Sequence, residues 1–160
     1  MAMDVLTKEL LVNYISYDPT SGQFYRVSNG KRADTSMKIG YRRVRVTING
    51  RKHELLAHRV AWLMTHNAWP KNEIDHIDGQ RDNNIITNLR HVTRLENARN
   101  IKLRSDNTSG IYGVNRHQNG WKVRIGKEYV GYYGCFGNAI SSRKSAQNSN
   151  GYHANHGRTA

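Results

Sequence analysis

Between residues 41 and 56 apolar and polar side chains alternate. Val44, Val46 and Ile48 fall on one side and Arg43, Arg45 and Thr47 on the other, and Asn49-Gly50 supplies a two-residue hairpin turn before Arg51 to Leu56. This predicts a hairpin with one apolar and one basic face. The period then lengthens: Val60, Ala61, Leu63 and Met64 recur at helical spacing over 58–66, and Pro70 forces an end before the next strand. Upstream, Thr7 caps a short helix over 7–14 that turns Leu10, Leu11, Tyr14 and Ile15 to one side. Residues 17–22 read as a turn, 23–27 as a strand and 28–38 as a polar, basic loop. Downstream, 111–114, 121–125 and 129–136 read as three strands, with Gln118-Asn119-Gly120 as a turn. A closing helix over 138–148 is expected to turn Ala139, Ile140 and Ala146 inward. The stretch 105–110 lacks any apolar anchor and reads as a linker.

The composition narrows the partner. Twenty-five Lys and Arg stand against 12 Asp and Glu, a formal net charge of +13, which points to a polyanion whose phosphates drive salt-dependent binding. The plainer alternative is a solvated basic surface. No run approaches the ~20 apolar residues of a membrane span, no basic amphipathic helix stands out for acidic lipid, and no secretory signal is visible, so a soluble, cytoplasmic protein is expected. The single cysteine, Cys135, excludes an internal disulfide and a Cys-based structural zinc site, and it reads as a small buried residue.

The candidate chemistry lies between residues 75 and 97. Asp75-His76-Ile77-Asp78-Gly79 sits at a strand end and turn, followed by Asn84, a second short strand at Asn88-Leu89-Arg90 that ends near His91, and Thr93-Arg94-Leu95-Glu96-Asn97. A neutral imidazole suits His76 to take a proton from water, while strand alternation turns Asp75 to the opposite face. Thr93 and Glu96 form a capping box, which puts Asn97 in the first full turn of a helix. One carboxylate and one amide oxygen form a plausible donor set for a hard cation that retains waters. His91 is the closest competitor to His76, and His58 reads as a structural or substrate-side residue. Arg43, Arg45, Arg51 and Lys52 either touch DNA phosphates or form a solvated strand face.

Over roughly 56–100 these residues resemble the HNH endonucleases, built on a ββα-metal motif, in the variant that reads Asp-His, then Asn, then Asn. The resemblance implies Asp75 and Asn97 as metal ligands, His76 as general base, and Asn88 as the middle Asn that orients the histidine and stiffens the loop. It implies one Mg²⁺ or Mn²⁺ per active site, no zinc, and a phage-borne or mobile homing-type enzyme, which would act in the host cell cytoplasm. The C-terminal stretch resembles the APETALA2-type DNA-binding domain in Ser-Gly-Ile-Tyr-Gly-Val at 109–114, in Trp121 with its alternating basic partners, and in Tyr-Gly-Cys-Phe at 133–136. That implies a three-stranded sheet on one helix, with Arg116, Trp121, Lys122, Arg124 and Lys127 as DNA contacts. Alternation places Lys122, Arg124 and one side of Arg116 on a shared exposed face, and Trp121 could equally anchor the core.

The expected architecture is α+β: a nuclease domain over 1–104 with its ββα-metal core at about 70–102, a linker over 105–110, and a DNA-binding domain over 111–160. The expected activity is metal-dependent hydrolysis of DNA phosphodiesters, by nicking or as a homing enzyme. The expected partner is double-stranded DNA, bound by a monomer with no obligatory protein partner and no membrane. Two alternatives are a DNA-binding regulator on an idle nuclease-like scaffold, and an RNA-binding protein that stacks bases on Tyr112, Trp121, Tyr129, Tyr132 and Tyr133.

Overall fold

The computed structural model describes residues 6–99, 103–152 and 156–157 and has an α+β architecture of four small antiparallel sheets and four helices among them. The chain divides into two compact units, Met1–Thr93 and Arg94–Ala160. Residues 100–102, which close the expected ββα core, lie outside the described residues.

The first unit begins with α1 (Lys8–Leu11), where the Leu10 amide donates to the Thr7 hydroxyl at 3.3 Å. Leu11 and Ile15 are fully buried. β1 (Ile15–Asp18) and β2 (Gln23–Arg26) form a hairpin whose turn is tied by Asp18, its carboxylate accepting from the Thr20 amide and from the Thr20 and Ser21 hydroxyls. Gly22 closes the turn at φ +70°, and a Cβ there would lie 2.5 Å from the backbone of Asn84 and Ile85. Only glycine allows that approach.

β3 (Asp34–Ser36), β4 (Arg42–Ile48) and β5 (Arg51–Leu56) form the next sheet, and Val44, Val46 and Ile48 line its buried face as the alternation predicts. β3 falls in the stretch expected to be a loop. It is held by an ionic centre, not an apolar one: the buried Asp34 carboxylate pairs with Arg32 at 3.0 Å and with Arg42. α2 (Ala57–His66) packs Val60, Ala61, Leu63 and Met64 into the same core and ends at Asn67, whose left-handed φ of 57° lets its amide cap the Leu63 carbonyl. Arg59 reaches from α2 to the carbonyls of Pro70 and Asn72, tying the helix to the approach of β6 (Glu73–His76). β6 pairs antiparallel with β7 (Leu89–Val92), and α3 (Arg94–Arg99) follows in the chain.

In the second unit β8 (Val114–His117), β9 (Gly120–Ile125) and β10 (Glu128–Tyr133) form one sheet in the order β10-β9-β8, and α4 (Phe136–Ser149) covers one face. Val114, Val123 and Ala139 are buried, with Ile111, Trp121, Val130, Tyr133 and Phe136 packed around them. The inward stripe of α4 also holds Arg143, which is 2% exposed and donates to the Tyr112 carbonyl and the Gln147 side chain. Cys135 is exposed, contrary to the expectation of a buried thiol. It precedes the first residue of α4, where the Asn138 and Gly137 amides hold its pKa below the usual thiol value. No helix among the described residues is long and apolar enough to cross a membrane.

Candidate active site

Within the β6–β7 hairpin, His76 and Asp75 are both buried, 4% and 8% exposed, although their side chains leave the strand on opposite faces. Asp75 stands directly across from Arg90, and the Arg90 Nε and Nη2 donate to its Oδ2 at 2.9 and 2.6 Å. Burying a carboxylate is costly unless it is paired, and cross-strand register supplies the partner.

His76 is enclosed by Asn84, Tyr41 and His58. Its Nε2 lies 3.2 Å from the Asn84 Oδ1, and the Asn84 amide nitrogen donates to the Asp82 carbonyl at 3.3 Å, which fixes the orientation of that amide. With Oδ1 as acceptor, Nε2 carries the proton and Nδ1 is the basic nitrogen. The His58 ring meets His76 edge-on at 5.3 Å, and Tyr41 packs against both rings, at 5.2 Å from His58 and 5.9 Å from His76. The Arg81 guanidinium covers the outer side of Tyr41 at 5.0 Å. Burial lowers the His76 pKa, against a partial upward pull from Asn84 and from the carboxylates of Asp78, Asp75 and Asp82. Burial, then the neighbouring His76 and Arg59, pushes His58 down to about 4. At neutral pH both rings are uncharged, the form that can accept a proton.

Asn84 is itself braced from a distance in sequence. The Tyr17 hydroxyl donates to its carbonyl at 2.7 Å, the Ile86 amide donates to the Pro19 carbonyl at 3.2 Å, and the Gly22 turn lies against its backbone. The β1–β2 hairpin thus supports the residue that orients the histidine.

Asn88 was expected to orient His76 and stiffen the loop. Its hydrogen bonds stay within the loop: Oδ1 accepts from the Asp78 amide at 3.0 Å, and Nδ2 donates to the Asp78 carboxylate at 3.0 Å and the Asn83 carbonyl at 2.9 Å. Asn84 is the partner of His76, so the orienting role moves to it. The loop turns back at Asp78-Gly79, which brings Asn84 under the ring, while Asn88 at the far strand end reaches only the loop base. Burial would raise the Asp78 pKa, yet the Gln80 amide, Asn83 and Asn88 together hold it below the usual carboxylate value. His91, the competing histidine, accepts the Asn72 amide on its Nε2 at 2.9 Å, which occupies that nitrogen.

Asn97 lies in α3, within the second unit. Among the described residues no group of three or more His, Cys, Asp and Glu side chains gathers to hold a metal. The donor chemistry of Asp75, a hard carboxylate oxygen, suits Mg²⁺ or Mn²⁺, which bind through one or two carboxylates and keep waters.

The expected DNA contacts divide by geometry. Arg43 and Arg45 occupy the outward face of β4 and both pair with Glu54 across the sheet. Lys122 and Arg124 point outward from β9, and Lys127 is exposed in the turn before β10. Trp121 is not on that face: its ring packs on Phe136 at 4.3 Å, beneath the sheet. Arg116 stands opposite Trp121 in register and lies over the indole at 5.2 Å, so it belongs to the helix-side edge and does not share the face of Lys122 and Arg124. Two further aromatic residues stand on the outward face, Tyr129 and Tyr132, 56% and 45% exposed.

Comparison with known proteins gives three findings. Residues 55–99 match the family model described as HNH endonuclease. The chain is 29% identical over 112 residues to the DNA endonuclease I-HmuI of Bacillus phage SP01, covering 69% of this chain and 62% of that protein. A solved structure, of DNA binding and cleavage by the HNH homing endonuclease I-HmuI, aligns with a TM-score of 0.48 and 29% identity over 54% of this chain and 51% of that one. The chain therefore spans less than two thirds of the curated relative it matches. The stretch that carries Asp75, His76, Asn88 and Asn97 lies within the residues matched to that HNH endonuclease model.

Proposed function

We propose that this chain is a divalent-metal-dependent DNA endonuclease in which His76 is the general base. The observation that carries the reading is the buried, neutral His76, with its Nε2 proton directed to Asn84 and Nδ1 left as the basic nitrogen, inside a segment matched to the HNH endonucleases. His76 takes a proton from the attacking water, Asn84 holds the ring in the productive tautomer, and Asn88 keeps the 77–83 loop closed beneath it. Asp75 and Asn97 are assigned as oxygen ligands on the strength of the segment match, which contains both. A bound Mg²⁺ or Mn²⁺ would stabilise the charge that develops on the phosphate and the leaving oxygen. Arg90 pairs with Asp75 across the hairpin and holds that carboxylate in place.

The second unit is proposed as the DNA-holding part, an APETALA2-like sheet on one helix with Lys122, Arg124 and Lys127 as phosphate or base contacts. The likeness to a phage DNA endonuclease supports DNA as the substrate, which we assign as double-stranded. We assign no obligatory protein partner. One active site per chain implies that a single copy nicks one strand.

The test is incubation of supercoiled plasmid with the full chain in a series of Mg²⁺, Mn²⁺ and EDTA. Nicked or linear product with either metal, lost in EDTA, is expected. Supercoil that persists with every metal while the DNA is retarded on a gel would establish the idle-scaffold regulator instead.

A further inference from the structure

The outward face of the second sheet is constructed with more care than a solvated surface requires. The β9–β10 register shifts between Tyr129 and Gly131, leaving Val130 as an extra residue. Residues three apart on a regular strand point to opposite faces; the bulge turns Tyr129 and Tyr132 to the same one, opposite Arg124 and Lys122. Tyr132 then lies down across the sheet. A Cβ at Gly120 would meet its Cζ and hydroxyl oxygen at 2.6 Å, so only a glycine at this position lets the ring rest there. The His117 ring stands against it edge-on at 84° and 6.3 Å. His117, Gln118, Lys122, Arg124, Tyr129 and Tyr132 line a concavity of about 490 Å³, within the ~300–1,000 Å³ of small-ligand clefts. None of these six is acidic.

We propose that this face binds unpaired DNA bases, stacking them on Tyr129 and Tyr132 while Lys122 and Arg124 neutralise the flanking phosphates. The inference rests on the reading of the second unit as DNA-holding and names the form of DNA it holds. In a duplex the flat faces of the bases are covered by their neighbours, and a groove offers only base edges. An aromatic ring laid flat on a sheet presents a π-face, which an unpaired base alone can cover. The alternating cations add the salt-dependent part of the affinity without reading sequence.

The experiment is fluorescence anisotropy of the full chain with labelled oligothymidylate of twelve nucleotides and with a twelve-base-pair duplex, at low salt. The wild type is expected to bind the single strand at least as tightly as the duplex. Tyr129→Ala and Tyr132→Ala are each expected to weaken single-strand binding about ten-fold and duplex binding much less, while Tyr132→Phe, which keeps the ring and loses only the hydroxyl, binds as wild type. Tyr129 is more than half exposed, so its variant tests the proposal even if Tyr132→Ala disturbs the sheet. Single-strand affinity unchanged in Tyr129→Ala, or a wild type that prefers the duplex, overturns the stacking proposal and leaves the DNA-holding reading standing. A chain that binds neither probe overturns both.

Discussion

The two units use charge in opposite ways. Met1–Thr93 holds 14 Lys and Arg with nine Asp and Glu, and Arg94–Ala160 holds 11 with three. In the first unit carboxylates are spent on structure: Asp34 centres the β3–β4 edge between Arg32 and Arg42, Asp75 is matched to Arg90, and Glu54 ties Arg43 to Arg45. In the second, Arg104 pairs with Asp106 beside it in the chain, and Lys122 and Arg124 face outward with tyrosines beside them. A buried site needs its charges answered within the fold, because an unanswered one costs several kcal/mol. A polyanion-binding face needs them left for the ligand. The division predicts that substitutions around the β6–β7 hairpin act on turnover and stability, and those on the outward face of the β8–β10 sheet on affinity and its salt dependence.

The largest effect is expected at the base. His76→Ala should lower the cleavage rate about 10²–10⁴-fold, the usual range for losing general base catalysis, with gel retardation of the same DNA unchanged. Residual cleavage near wild type would move the base to another group. Next comes the acid response. The His58 pKa of about 4 lies below its ordinary 6.5, so the unfolded chain takes up the proton first. Its stabilising contribution is fully present above pH ~6.5 and is lost as the pH falls toward 4, by on the order of 3 kcal/mol. His76 shifts in the same direction and adds to it. Urea melts between pH 7 and 4 should show the loss, and His58→Phe should flatten it; equal slopes in both proteins would mean that the buried pair does not report on the fold. Asn84→Ala should follow, with kcat down about ten-fold and KM unchanged, since the loss of one orienting hydrogen bond is worth about 1–1.5 kcal/mol. A KM effect instead would place Asn84 on the substrate.

Much of this arrangement was legible. Alternation gave β4 and β5, helical spacing gave α2, and the Asp75–Gly79 stretch with its capping box gave the site segment. What escaped has physical causes. β3 rests on a buried Asp34 between two arginines and carries no apolar alternation to betray it. Asn84 meets His76 because a turn folds the loop back on itself, and Tyr17 supports it from 67 residues away, so no local pattern marks either contact. The family resemblance offers Trp121 as a contact, although its alternation with Val123 and Ile125 puts it on the helix side, and Arg116 follows it there through a cross-strand register that the sequence does not display. The extra Val130 reverses the side of Tyr129 relative to Tyr132, and a one-residue bulge changes every assignment beyond it.

The smallest effect is also the sharpest comparison of the two units. Each phosphate contact contributes about 0.9 to the slope of log K against log salt. Lys122→Ala and Arg124→Ala, which remove cations with no ion-pair partner among the described residues, should each reduce the slope by about 0.9 for duplex and about 0.7 for single-stranded DNA. Arg45→Ala removes a cation that already answers Glu54 across the β4–β5 hairpin. The removal leaves Glu54 paired with Arg43 alone as it deletes a guanidinium that was already answered, and the slope should move by distinctly less than one. Equal slope changes for Arg45 and Lys122 would show that the pairing with Glu54 opens on DNA, and that the basic face of the first unit binds phosphate alongside the second.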